Sequence, residues 1–173
     1  KIRKDQVVIS IAAGYAIADL QAGLGDSARI VRSMPNTPAM VGEGMSGVSY
    51  DEALFTDEEL LRNYDFYQTV TLHHSSLSTC IFGILASRIG RHEDAYTYFA
   101  QSARMDLDDY HDNFYAGIHA ANMAGTWQSI VFGFAGLRLV NGVPEFKFYI
   151  PEAWNGYHFT VKIKRSVLAV DVL

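Results

Sequence analysis

The chain has 173 residues, of which 49% are hydrophobic and 19% charged, and its net charge is -5. This composition is typical of a folded chain, and the length suits one ordinary domain or two small ones. No basic block favours a nucleic-acid partner, and no apolar stretch approaches the roughly 20 residues of a membrane span. The single cysteine, Cys80, excludes an internal disulfide. We expect a cytoplasmic protein without a signal peptide or a membrane contact.

The first third of the chain carries a strand, helix and strand pattern. Residues 7–11 are a β-branched apolar run that predicts a buried strand, and residues 15–24 have apolar side chains at helical spacing. Residues 29–32 predict a second strand. A strand, helix and strand over about 25 residues is the crossover unit of a parallel sheet.

Pro35 and Pro38 then predict an extended loop at the end of a strand, where ligands bind in parallel sheets. The string Met34-Pro35-Asn36-Thr37 resembles the loop beside the nicotinamide in the pyrroline-5-carboxylate reductases. The resemblance implies a cofactor-binding role for Met34, Pro35, Asn36 and Thr37. The glycine-rich phosphate-binding turn of that family has no match here, so we expect no bound cofactor, with NADP only in a complete reductase.

Residues 51–60 are an acidic stretch, and helical signals follow it. We place the junction between two differently organised parts of the chain in this stretch. Thr56 and Glu59 have capping-box spacing. Residues 77–88 predict a helix that Ser76 or Ser78 caps and Gly90 ends, and His92 opens a second, antiparallel helix. A third helix is predicted over residues 118–134. The expected buried side chains are Leu77, Cys80, Ile81, Ile84, Leu85 and Arg88 in the first helix, Tyr96, Phe99 and Ala103 in the second, and Met123, Trp127, Ile130, Val131 and Phe134 in the third.

Beyond Gly136 the hydrophobic period becomes two. Asn141-Gly142 predicts a type I′ hairpin, and residues 157–164 and 166–173 predict further strands. Trp154 could stack on a sugar, but packing is the favoured interpretation.

Ser75 and Ser76 stand at a predicted helix start, where hydroxyls and backbone N–H groups can bind an anion. By structure alone, such serines are more often plain caps. Adjacent His73 and His74 do not face each other on a helix, and no metal site is expected. Asp106, Asp108 and Asp109 lack the remaining residues of a calcium loop, so we expect them to cap or pair within a helix connection.

Several strings together resemble glycoside hydrolase family 65, the maltose and kojibiose phosphorylases; they are residues 62–67, 71–78, 106–110 and 117–127. The resemblance implies that Ser75, Ser76 and His119 bind phosphate, which attacks an α-glucosyl disaccharide with inversion and releases β-glucose 1-phosphate. The family's general acid and a phosphate-holding lysine precede the matching region. No catalytic residue is therefore assigned, and we expect this chain to be inactive alone. The alternatives are a reductase fragment and a non-functional fused chain.

The expected fold class is α+β. Residues 1–55 would form an incomplete Rossmann-like βαβ fragment, residues 56–135 helices of an (α/α)6 barrel, and residues 136–173 a C-terminal antiparallel β-layer. So few barrel helices would leave an apolar face exposed, and self-association is expected.

Overall fold

A computed structural model describes residues 2–3, 6–35, 46–50, 55–71, 73, 75–110, 112–113, 115, 117–140 and 142–173. The chain divides into two compact units, Lys1–Glu59 and Leu60–Leu173. Helices and strands are mixed and the sheets are small, so the α+β class is confirmed at this level. Among the described residues, no helix has the length and apolar composition needed to cross a bilayer.

The first unit is built on a three-stranded sheet in the order β1-β2-β3. It comprises β1 (Val7–Ser10), α1 (Ile17–Leu24), β2 (Arg29–Pro35) and β3 (Ser46–Tyr50). β1 and β2 are parallel with α1 between them, as the sequence predicts, whereas β3 pairs antiparallel with β2.

The prediction that the first strand is buried is wrong. Ile9 is 69% exposed, whereas Ile30 in the middle strand is fully buried. An edge strand has a neighbour on one side only, and β-branched residues favour an extended backbone whether or not they are covered.

Helix α2 (Asp57–Val70) begins with the predicted capping box. The N–H of Thr56 donates to Glu59 Oε2 over 2.9 Å, and the N–H of Glu59 donates to Thr56 Oγ1 over 3.2 Å. The hydrogen bond from the Thr56 backbone lowers the pKa of Glu59, with a smaller contribution from Arg29, 3.5 Å away. The carboxylate therefore stays ionised where it satisfies a helix-start donor.

Helices α3 (Ser78–Arg88) and α4 (His92–Arg104) form the predicted antiparallel hairpin. Gly90 has a φ of +80°, its N–H donates to the Ser87 carbonyl, and the N–H of Arg91 donates to the Ala86 carbonyl. This is a Schellman turn, which glycine closes without strain. Gly90 therefore ends α3 as predicted.

The third helix is α5 (Ala120–Gln128), and it continues as a π-helical segment, Ser129–Phe134. Helical structure up to Phe134 was predicted, but the wider π turn was not. The segment packs against α3 through Gly133, where a Cβ would lie 3.6 Å from the Cα of Ile84.

The C-terminal part consists of two strand pairs. β4 (Arg138–Val140) and β5 (Val143–Glu145) form the predicted hairpin, with Val140 opposite Val143 and Gly142 at a φ of +79°. Asn141 lies outside the described residues. β6 (Tyr157–Ile163) and β7 (Ser166–Val172) are antiparallel, as predicted. One core lies between the strands and the π-helical segment; its buried members are Val131, Ala135, Leu137, Phe159, Val170 and Val172.

Candidate functional site

Helices α3 and α5 run in the same direction, so their first turns lie at the same end of the second unit. A Cβ at Gly125 of α5 would lie 2.5 Å from the Sγ of Cys80, near the start of α3. Near the other end of α3, the hydroxyl of Ser87 donates to the carbonyl of Gly133 over 2.9 Å. An early residue of α3 contacts α5, and a late residue of α3 contacts the segment that continues α5. The two helices therefore run in the same direction.

Ser76 and His119 both lie just before these two helices. Counted from the Cys80–Gly125 contact, Ser76 is four positions and His119 six positions further toward the helix starts. The structure therefore brings the predicted serines and histidine to one end of the second unit, although 43 positions separate Ser76 from His119 in the sequence.

The start of α3 differs from the predicted serine cap. Leu77 occupies the cap position, and its own side chain makes no capping hydrogen bond. The hydroxyl of Ser75 accepts the N–H of Leu77 over 3.3 Å, and the carbonyl of Ser75 accepts the N–H of Ser78 over 3.0 Å. Ser75 therefore satisfies two backbone donors at this start, while the positive end of the helix dipole still favours a nearby anion.

His73 lies beside this helix start in a left-handed backbone conformation, at a φ of +52°. Its Nδ1 is 2.6 Å from Ser78 Oγ, and its Nε2 is 3.5 Å from the hydroxyl of Tyr98, which accepts a hydrogen bond from Gln68. The ring meets Phe82 edge-on at 4.7 Å. Burial lowers the pKa of His73. His73 therefore acts as a neutral link between α2, α3 and α4, a role that its place in a His-His pair did not suggest.

His119 stands immediately before α5 and is held by Asp106, which follows α4. Its Nδ1 is 2.6 Å from Asp106 Oδ1, and its backbone N–H donates to Asp106 Oδ2 over 3.0 Å. The side-chain hydrogen bond from His119 lowers the pKa of Asp106, so the carboxylate is ionised near neutral pH. The sequence predicted only that Asp106 would cap or pair within a helix connection. It did not identify His119 as the partner, since a separation of 13 positions gives no periodic signal.

The three neighbouring aspartates serve the helix connection, as predicted, and bind different partners. Asp108 accepts the Arg104 guanidinium at 2.7 Å, and Asp109 accepts the N–H of Asn113 at 2.9 Å. In the described part of the chain, no cluster of three or more His, Cys, Asp or Glu side chains could hold a metal ion. His74 lies outside the described residues.

A buried polar cluster fixes the end of α4 against the start of α5. The hydroxyl of Ser102 donates to Asn122 Oδ1 over 2.7 Å, and Asn122 Nδ2 donates to the Ser102 carbonyl over 2.7 Å. The hydroxyl of Thr126 lies 2.9 Å from that of Ser102. These bonds tie together the two segments that carry Asp106 and His119, which limits how far the pair can separate.

The cofactor residues predicted from the reductase resemblance do not form a described site. Met34 and Pro35 are the last residues of β2, and Pro35 pairs with Ser46 of β3. Asn36 and Thr37 lie outside the described residues.

Trp154 packs in an aromatic cluster. It meets Tyr96, Phe99, Phe134 and Tyr157 at ring distances of 6.3, 5.1, 5.3 and 5.9 Å. The favoured packing interpretation of Trp154 is therefore confirmed by its contacts.

The chain is therefore a mixed helix-and-strand protein, and its candidate anion site lies where the two parallel helices α3 and α5 begin. Residues 42–128, half of the chain, match the glycosyl hydrolase family 65 central catalytic domain. The chain therefore belongs to glycoside hydrolase family 65.

Several similar proteins are phosphorylases. The α,α-trehalose phosphorylase of Thermoanaerobacter brockii is 52% identical over 118 residues, which are 68% of this chain and 15% of that enzyme. The maltose phosphorylase of Bacillus subtilis is 35% identical over 128 residues, 74% of this chain and 17% of that enzyme. A solved structure provisionally assigned as a kojibiose phosphorylase from the human microbiome is 42% identical with a TM-score of 0.64, over 68% of this chain and 16% of that chain.

The chain thus spans about one sixth of the length of these relatives. None of these comparisons supports the reductase resemblance or the fused chain. The family match begins at residue 42, upstream of the junction that the sequence predicts within residues 51–60.

Proposed function

We propose that this chain supplies the phosphate-binding part of an inverting glycoside phosphorylase that converts an α-glucosyl disaccharide and phosphate to β-glucose 1-phosphate and glucose. Ser75, Ser76 and His119 are the proposed phosphate-binding residues. The proposal rests on one observation above all, the presence of the start of α3 and an oriented histidine at one end of the second unit.

The chemistry of phosphorolysis explains why such a site would be useful. Phosphate must reach the anomeric carbon in a fixed orientation, and helix-start N–H groups and hydroxyls can hold its oxygens without needing a charged side chain. A histidine at the rim adds one positioned donor or acceptor. A separate group must protonate the leaving oxygen, and the resemblance places that glutamate upstream of the matching region.

The proposal extends to the architecture. Residues 56–135 would be helices of an (α/α)6 barrel and residues 136–173 its C-terminal β-layer, while residues 1–55 would be a separate first part. The helical hairpin and the strand pairs support this division.

Phosphate binding tests the proposal directly. We would titrate the 173-residue chain with inorganic phosphate and follow 31P line broadening or calorimetric heat. Ser76→Ala and His119→Gln are expected to weaken binding by about 10-fold each, since each removes a contact worth about 1–1.5 kcal/mol. His158→Gln is the matched control, because the His158 side chain is 74% exposed on β6. Binding unchanged in Ser76→Ala and His119→Gln would refute the site.

Turnover is a separate question. The isolated 173-residue chain is expected to release no glucose 1-phosphate from trehalose, maltose or kojibiose, since loss of a general acid alone costs about 10²–10⁴ in rate. Sustained turnover that His119→Gln abolishes would contradict this expectation while supporting the phosphate site.

A further inference from the structure

We propose that Asp106 is a positioning residue that keeps a proton on His119 Nδ1 and directs the opposite ring nitrogen, Nε2, toward phosphate. This inference rests on the proposed function, because it gives His119 a defined state for binding that anion. It concerns a residue that does not itself touch the ligand.

The geometry around Asp106 determines which nitrogen carries the proton. One carboxylate oxygen faces His119 Nδ1 at 2.6 Å, and the other accepts the backbone N–H of the same residue at 3.0 Å. An ionised carboxylate can only accept hydrogen bonds, so Nδ1 must be the donor. Because the hydrogen-bonding directions of the two ring nitrogens diverge widely, Nε2 then points away from Asp106.

Two contacts to one carboxylate also fix the orientation of the ring. The backbone N–H anchors the carboxylate to the residue before α5, and the Nδ1 contact then limits rotation of the side chain. The hydrogen bonds of Ser102 to Asn122 hold the two chain segments together on the buried side. Ring and carboxylate are therefore placed before any ligand arrives, which reduces the entropy lost on binding.

The protonation state of the His119 ring decides whether Nε2 accepts or donates the hydrogen bond to phosphate. With the proton on Nδ1, a neutral ring offers Nε2 as an acceptor, which suits the P–OH of a phosphate monoanion. A protonated ring instead donates from Nε2 to the dianion. In both cases phosphate and imidazole share a single proton along one hydrogen bond. The other proton stays on Nδ1 throughout, where its hydrogen bond is accepted by Asp106.

Substitution of Asp106 by asparagine should reverse the tautomer. The backbone N–H of His119 still requires an acceptor, so the amide oxygen of the asparagine takes that place and its NH₂ group faces Nδ1. Nδ1 must then become the acceptor, and in the neutral ring the proton moves to Nε2. Asp108→Asn is the matched control, because Asp108 lies two positions further on and binds Arg104 instead.

Nitrogen NMR of 15N-histidine-labelled chain measures this state. Long-range proton–nitrogen spectra at a pH where the rings are neutral distinguish the tautomers, and His119→Gln identifies the resonances among six histidines. We expect Nδ1–H at His119 in the wild-type chain and in Asp108→Asn, and complete loss of that form in Asp106→Asn. A neutral Nε2–H tautomer in the wild-type chain would overturn the inference, and this measurement stands even if Asp106→Asn fails to fold.

Addition of inorganic phosphate to the labelled wild-type chain tests the second half of the inference. The Nε2 resonance is expected to shift several-fold more than that of Nδ1, and the opposite response would overturn the assignment. No response at either nitrogen would overturn the proposed phosphate site, and with it the role of Asp106. That result is distinguishable from failure of the His119–Asp106 pairing alone, because the tautomer is read before phosphate is added.

Discussion

Gly125 of α5 lies directly against Cys80 of α3. A Cβ added at Gly125 would be 2.5 Å from the Sγ and 3.0 Å from the Cβ of Cys80, which is buried. Only hydrogen fits in this space, so the glycine sets how closely the two helices approach and thereby the spacing of the helix starts that form the candidate site.

Gly125→Ala is therefore expected to destabilise the chain by about 1–3 kcal/mol, the usual cost of overpacking. Gly23→Ala is the control, because Gly23 lies in α1 with no atom near its Cβ position, where alanine should be neutral or stabilising by up to about 1 kcal/mol. Chemical denaturation measures both. Removal of the sulfur by Cys80→Ala should lessen the cost of Gly125→Ala, and equal costs in the two backgrounds would contradict the contact.

Asn122→Ala is expected to cost about 2–3 kcal/mol of unfolding free energy, because it removes the side-chain partner of the buried Ser102 carbonyl and one of the two partners of the Ser102 hydroxyl. Asn155→Ala, at an exposed position, should change stability by less than about 0.5 kcal/mol. The same denaturation curves would show whether the two costs differ. Similar values for both variants would count against a structural role for the buried cluster.

The two tryptophans provide a matched comparison. Trp154→Ala should destabilise by about 3–5 kcal/mol because four aromatic neighbours lose their contacts. Trp127 is 42% exposed, and its replacement by alanine should cost much less. Thermal melts compare the variants. A sugar-dependent change in Trp154 fluorescence, together with a small stability loss on substitution, would favour the stacking role instead.

Acidification should destabilise the chain through His73. Burial lowers the pKa of His73 in the folded chain, so the unfolded chain binds the proton first as the pH falls through the ordinary histidine value of about 6.5. Stability is therefore fully present above that value and is lost as the pH falls through the folded pKa. His73→Gln should reduce the fall in melting temperature between about pH 8 and pH 5.5. His158→Gln should leave it unchanged, and an identical fall in the wild-type chain and His73→Gln would contradict the prediction.

Local signals in the sequence predicted most element boundaries. The Thr56 and Glu59 capping box, Gly90 and the Asn141-Gly142 turn each depend on residues close in the chain, and such chemistry can be read from a short window. The same holds for the alternation in β6, which reflects one covered face.

The sequence predicted less well which face of each helix is buried, because the helices pack largely through small residues. Ile81, Met123 and Trp127 were expected to be buried but are 48%, 58% and 42% exposed, and Ala103 is also exposed. Cys80, Val131 and Phe134 are buried as expected. The buried positions that the periodicity missed are, apart from Phe82, small or polar: Thr79, Gly83, Ala86, Ser87, Ala95, Ser102, Asn122, Gly125, Ser129 and Gly133. Close approach of two helices favours small side chains at the contact. Hydrophobic periodicity instead assigns the buried face from the positions of large apolar side chains.

The candidate site was only partly predictable for a similar reason. Ser75, Ser76 and His119 follow from the family resemblance, whereas Asp106 and His73 act through partners that only the folded chain brings near. Large apolar side chains are exposed in both units, and the expected self-association remains a prediction.

The three-residue link between α3 and α4 bears on the order in which the chain folds. Contacts within that hairpin close short loops and should form early, whereas Cys80 meets Gly125 only after a loop of more than forty residues has closed. The end of the unit that carries His119 would then be completed late. Acquisition of phosphate binding during refolding would report the last step of assembly, after most helical signal has already returned.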